Sequence, residues 1–143
     1  MFVSNYDHGV DEKGRFIMPA KFREQLDGKC VVTLGMDENC LYIYRIPEWE
    51  EFVERLRRLP NARREIRALQ RRFMENAETV DIDKQGRCLL SAGLRSFAGI
   101  KDEIKLIGMD NKIELWSKES WLKFKEKDDI DFAAVAEDLD LVI

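Results

Sequence analysis

Residues 10–23 read Val10-Asp11-Glu12-Lys13-Gly14-Arg15-Phe16-Ile17-Met18-Pro19-Ala20-Lys21-Phe22-Arg23, and residues 82–95 read Ile82-Asp83-Lys84-Gln85-Gly86-Arg87-Cys88-Leu89-Leu90-Ser91-Ala92-Gly93-Leu94-Arg95. Laid over one another at a spacing of 72 positions, the two stretches share Asp11/Asp83, Gly14/Gly86, Arg15/Arg87, Ala20/Ala92 and Arg23/Arg95. Gly35-Met36-Asp37 recurs as Gly108-Met109-Asp110, one residue out of step, and Trp49 and Phe52 return as Trp121 and Phe124. A repeat of this length marks a duplicated structural unit.

Each copy predicts the same elements. The Asp-x-x-Gly-Arg stretch, with apolar residues on either side, predicts two short strands joined by a glycine-containing turn. Pro19 to Leu26 predicts a short helix opened by proline and ended near Asp27-Gly28. Cys30–Leu34 and Leu41–Tyr44 are rich in β-branched and aromatic residues and predict a hairpin around Gly35–Asn39, repeated by Ile104–Ile107 and Lys112–Trp116. Between the copies, Trp49, Phe52, Val53 and Leu56 follow the helical period, as do Ala62, Ile66, Leu69 and Phe73, with Arg63, Arg64, Arg67 and Arg71 on the opposite face. Lys118–Lys127 predicts a second Trp-led helix leading into an acidic tail. The sum is an α+β chain.

The 143 residues fit one compact domain or two very small ones. Charged residues make up 36%, against roughly 25% in an average globular chain, so much of the charge lies on faces or interfaces. The net charge is −4, and whole-chain charge therefore predicts no nucleic-acid binding. Its distribution is uneven. Arg55, Arg57, Arg58, Arg63, Arg64, Arg67, Arg71 and Arg72 face a single acid, Glu65, across residues 55–72, while residues 126–140 hold seven acids and Lys127. The favoured reading pairs this arginine stripe with the tail or with a neighbouring subunit rather than with DNA.

The N-terminal stretch has no basic, apolar leader and no run of about 18 apolar residues occurs, so secretion and membrane spanning are not expected. Cys30, Cys40 and Cys88 are odd in number and widely spaced, the pattern of reduced thiols. His8 is the only histidine, phosphate-loop and hydrolase motifs are missing, and neither catalysis nor a metal nor any other cofactor is expected. Trp49, Trp116 and Trp121 fall on apolar stripes or strands and read as core or subunit anchors.

The repeated Asp-x-x-Gly-Arg followed by Pro/Ser-Ala-x-x-Arg resembles the SpoVT/AbrB family of swapped-hairpin transcription factors, and two copies in a chain of this length resemble its tandem-repeat branch. The resemblance implies interleaved hairpins forming a β-barrel, a ring-shaped homo-oligomer, and binding of double-stranded DNA at short direct repeats upstream of division and cell-wall genes. It implies a protein of the cytoplasm and nucleoid, with no membrane partner and no small-molecule substrate. The organisation it suggests is a first repeat over 1–52, arginine-rich linking helices over 53–77, a second repeat over 78–125 and an acidic tail over 126–143.

The DNA-binding residues expected are Lys13, Gly14, Arg15, Lys84, Gly86 and Arg87. A glycine in a tight turn permits φ > 0 and close approach of backbone to another molecule. Arg15 and Arg87 carry forked donors suited to phosphate or to guanine O6/N7, and Lys13 and Lys84 act as point charges. Asp11 and Asp83 are expected to hold the turn by accepting its N–H groups or pairing the arginine, since carboxylates are repelled by phosphates. Copy two departs at Gln85, which stands opposite Lys13, and at Ser91, opposite Pro19. An oligomeric interaction scaffold without DNA binding is the competing reading.

Overall fold

A computed structural model describes residues 1–143. Eight strands and six helices follow in the order β1 (Asn5–Gly9), β2 (Arg15–Ile17), α1 (Ala20–Leu26), β3 (Lys29–Leu34), β4 (Leu41–Tyr44), α2 (Ile46–Arg57), α3 (Arg64–Glu75), β5 (Glu78–Asp81), β6 (Arg87–Leu89), α4 (Ala92–Ala98), β7 (Glu103–Gly108), β8 (Ile113–Ser117), α5 (Lys118–Lys127) and α6 (Phe132–Asp138). The predicted α+β class holds. The helix α6, inside what reads as an acidic tail, was not anticipated.

The two copies complete each other. Six antiparallel strands run in the order β1-β7-β8-β4-β3-β5, and β2 pairs with β6 in a separate ribbon. Exchanging each strand for its counterpart in the other copy reverses this order and leaves it otherwise unchanged, so the duplication appears as an approximate two-fold arrangement. β3–β4 and β7–β8 are the predicted hairpins. The link before the hairpin is longer in the second copy (99–102 against 27–28) and its turn is shorter (109–112 against 35–40), so Gly108 falls one residue out of step and Trp121 returns to the 72-residue spacing.

β1 and β2 do not pair with one another across the Asp-x-x-Gly-Arg turn: β1 goes to β7 and β2 to β6. No closed barrel is detected in the strand pairing. β2 and β6 are three residues each and spend their ladder on one another, and β1 and β5 remain the edges of an open sheet.

Side chains alternate across the ribbon, as pleated strands require. Phe16 and Cys88 point inward, joining Met18, Phe22, Leu90, Leu94, Ile104, Leu106, Ile113 and Leu115 in one core of 21 buried residues. All three cysteines are buried and free, and burial pushes the Cys30 and Cys88 thiols up to about 12. Helix α2 lies on β3 and β4, α3 on β3, and α5 on β7 and β8. Phe73 of α3 meets Phe52 of α2 edge-on at 4.9 Å between ring centres, while the buried Thr33 hydroxyl donates to the Phe73 carbonyl at 3.0 Å. In copy two, Trp116 packs against Trp121 and Phe124 with no following helix over them. Ala62 lies outside α3 and is exposed.

Candidate nucleic-acid interface

The two Asp-x-x-Gly-Arg turns have the same internal bonding. Asp11 Oδ1 accepts from the backbone N–H groups of Lys13 and Arg15, both at 2.9 Å, and its Oδ2 accepts from Arg15 Nε at 2.8 Å. Asp83 Oδ1 accepts from the N–H groups of Gln85 and Arg87 at 2.9 Å, and its Oδ2 from Arg87 Nε at 2.7 Å. Each turn is therefore closed by a carboxylate acting on three donors, as expected of an aspartate at this position. The Arg15 backbone N–H, ahead of its guanidinium, holds the Asp11 carboxyl below the usual carboxylate range, and Arg87 does the same for Asp83. Because only Nε is engaged, neither Nη group of either arginine has a partner within the chain.

Gly14 and Gly86 adopt φ of 90° and 85°, which a side chain disfavours. Both are buried beneath their loops rather than presented at the tips. The close approach they permit is to the other copy. A Cβ on Gly14 would come within 2.5 Å of Arg95 Nε and 2.8 Å of the Leu90 carbonyl oxygen, and a Cβ on Gly86 would strike the Arg23 guanidinium. The carbonyls of Gly14 and Gly86 accept from Leu90 N–H at 2.9 Å and Met18 N–H at 2.8 Å. The loop tips are instead Glu12-Lys13 and Lys84-Gln85, all exposed.

Arg23 and Arg95 were not singled out as site residues, although their recurrence in the repeat is the signal that marks them. Each leaves a short helix of one copy and supports the turn of the other, and Arg95 Nε also donates to Leu90 O at 3.0 Å. The change from Pro19 to Ser91 alters the helix start: Ser91 Oγ accepts from Leu94 N–H at 3.2 Å, whereas Pro19 offers no side-chain cap.

The register of the ribbon sets Arg15 opposite Leu89 and Ile17 opposite Arg87. Alternation places all four side chains on the outward face, with Ile17 and Leu89 about half exposed, at 48% and 55%. Arg15 and Arg87 line one shallow depression of ≈ 370 Å³ together with Ile17, Val10 and Asp11. Two copies of a turn motif 72 residues apart thus converge on one surface of two arginines and two aliphatic side chains, with Lys13 and Lys84 on the flanking loops.

The linker arginines go elsewhere. Arg57 and Arg58 pair with Glu54, Arg63 with Glu65, Arg67 donates to the carbonyls of Asn61 and Ala62, and Arg72 donates to Gly35 O at 2.8 Å. No ion pair joins them to the acidic tail of the same chain. For Arg57 and Arg58 the partner is local because Glu54, one position before the arginine run, lies three and four residues away on α2.

The family model of the MraZ protein, described as antitoxin-like, matches this chain twice, over residues 1–72 and 73–143. Over 140 residues the chain is 42% identical to the transcriptional regulator MraZ of Caldanaerobacter subterraneus subsp. tengcongensis, covering 98% of this chain and 97% of the relative. It is 42% identical over 144 residues to the transcriptional regulator MraZ of Finegoldia magna, covering 99% and 100%, and 43% identical over 137 residues to that of Clostridium tetani, covering 96% and 95%. A family model that repeats where the sequence repeats, and relatives that match from end to end, show that this chain belongs to the MraZ family of transcriptional regulators.

Proposed function

We propose that this MraZ-family protein regulates transcription by laying the outward face of its β2–β6 ribbon in the major groove of double-stranded DNA, as a ring-shaped homo-oligomer that engages several short direct repeats upstream of division and cell-wall genes. The observation that carries the reading is the convergence of Arg15 and Arg87 on one exposed face of a two-stranded antiparallel ribbon. A two-stranded ribbon fits the B-DNA major groove, where arginine donates to guanine O6 and N7 and aliphatic groups meet the thymine methyl. The Nε–aspartate bonds orient each guanidinium and leave both Nη groups to donate outward. Lys13 and Lys84 then stand over the backbone as phosphate contacts, and Gly14 and Gly86 set the height of the loops.

Charge supports oligomeric rather than monomeric action. Each arginine is ion-paired with an aspartate, so one chain offers few net positive groups, and non-specific affinity at that level is only about 10⁻⁴–10⁻⁶ M. Several ribbons on one assembly multiply the effect through effective concentration. Fluorescence polarisation with duplexes carrying one, two or three direct repeats, in a salt series, tests this: affinity rises steeply with repeat number and falls with salt. Equal affinity for one repeat, three repeats and random duplex would overturn the reading.

A further inference from the structure

We infer that Arg23 and Arg95 are positioning residues for the two DNA-facing turns and that they act crosswise: Arg95, from the second copy, sets the Gly14 turn and with it Arg15, while Arg23, from the first copy, sets the Gly86 turn and Arg87. The inference rests on the DNA-binding reading above and names what holds its two arginines in place.

An aspartate closes each turn internally, but nothing within the turn fixes how far it stands from the rest of the chain. At its base is a glycine with φ of 90° or 85°, the residue type with the widest choice of backbone conformation. A turn built on such a residue needs an external stop. Arg95 supplies one at Gly14. Its Nε donates to the Leu90 carbonyl at 3.0 Å, and Leu90 N–H donates to the Gly14 carbonyl at 2.9 Å. The guanidinium lies so close that a Cβ on Gly14 would come within 2.8 Å of Arg95 Cζ. Arg23 stands against Gly86 at the same separation, and Met18 N–H donates to the Gly86 carbonyl at 2.8 Å.

Both arginines are half-buried and neither has a carboxylate partner, so neither serves as a surface ion pair. The flat, forked guanidinium fits under a glycine as a flexible ammonium does not. From Gly14 the constraint passes outward through the turn: Gly14 N–H donates to the Asp11 carbonyl at 3.0 Å, and the Asp11 carboxylate holds Lys13 and Arg15. Gly86 passes it to Asp83 at 2.9 Å, and Asp83 holds Gln85 and Arg87.

The test is a set of double-mutant cycles in the full-length protein, read as affinity for a fixed direct-repeat duplex by polarisation, with circular dichroism verifying folding. Arg95→Gln and Arg23→Gln are each expected to weaken binding about tenfold, within the range of one bidentate base contact. Arg95→Gln should add little to Arg15→Ala, since the contact it positions is already lost, and should multiply with Arg87→Ala; Arg23→Gln should show the reverse. Arg95→Lys and Arg23→Lys, with the same expectation, replace any glutamine variant that does not fold. Unchanged affinity overturns the inference, as does coupling to the arginine of the same copy. Multiplication with both Arg15→Ala and Arg87→Ala, the result for a separate DNA contact, overturns it too. Amide hydrogen exchange without DNA separates this inference from the DNA-binding reading. Arg95→Gln should speed exchange of Lys13 and Arg15 N–H and spare Gln85 and Arg87, and Arg23→Gln should do the converse. If the unaltered protein does not bind the duplex, the DNA-binding reading falls and the exchange pattern alone decides the positioning. Exchange that rises in both turns alike, or in neither, overturns it.

Discussion

Arg15 and Arg87 each have two tasks that can be separated by substitution. Nε closes the turn on an aspartate, and the free Nη groups face outward. Arg15→Ala is expected to cost roughly 1–3 kcal/mol of repeat-DNA binding, the value of a bidentate base contact, and Arg87→Ala about as much. The thermal midpoint should move little, because exposed ion pairs contribute only about 0–1 kcal/mol, and polarisation beside thermal unfolding checks both halves of this expectation. The aspartates carry a pH signature. Their carboxyls titrate below the unfolded value in the folded chain, so their contribution to stability is present above about pH 4 and is lost as pH falls through the folded value. Thermal midpoints of the parent and of Asp11→Asn/Asp83→Asn, followed from pH 7 to pH 2, should therefore differ at neutral pH and converge in acid.

Among the elements, α3 shows how one residue decides where a helix sits. Its arginines face water, and its hold on the sheet comes from Phe73, 5% exposed and edge-on to Phe52, with the Thr33 and Arg72 hydrogen bonds around it. Phe73→Ala should destabilise the protein by about 3–5 kcal/mol, the usual loss for a buried phenylalanine. The measurement is urea unfolding, with near-ultraviolet circular dichroism reporting the loosened Tyr44, Trp49 and Phe52 cluster. The turn helices α1 and α4 illustrate a different control, because each ends on a residue with positive φ, Asp27 at 56° and Gly99 at 65°. Those left-handed positions turn the chain toward β3 and, through Ile100–Asp102, toward β7.

In the molecule as a whole, neither copy has a sheet of its own. β7 needs β1, β3 needs β5, and β2 and β6 have only each other. Unfolding should therefore be a single cooperative transition. Trp49 reports on copy one, and Trp116 with Trp121 on copy two, so Trp49→Phe and Trp116→Phe/Trp121→Phe chains followed by fluorescence should give denaturation curves that coincide with each other and with far-ultraviolet circular dichroism, after correction for any change in stability. Two separated transitions would show that the copies fold as independent units.

The duplication, the α+β class, the two hairpins, the Trp-led helices and the Asp–Arg closure of each turn were legible in the residues alone, because all rest on local periodicity, turn chemistry or contacts within five positions. Which strands pair was not legible. The turn predicts two strands but not their partners: both pair with the other copy, since a short strand's choice of neighbour depends on the core it completes and not on its own residues. Nor were the partners of the linker arginines legible: composition offers them the acidic tail or a neighbouring subunit, whereas within the chain five of the eight take a glutamate or a backbone carbonyl and none takes the tail. Arg15 and Arg87 could be named from the repeat, but their placement on one outward face follows from the register of β2 against β6. The chemistry of each turn is written in its own few residues; the meeting of the two turns is a property of the fold, because that pairing joins residues about 72 positions apart, with Phe16 and Cys88 opposite one another and buried beneath it.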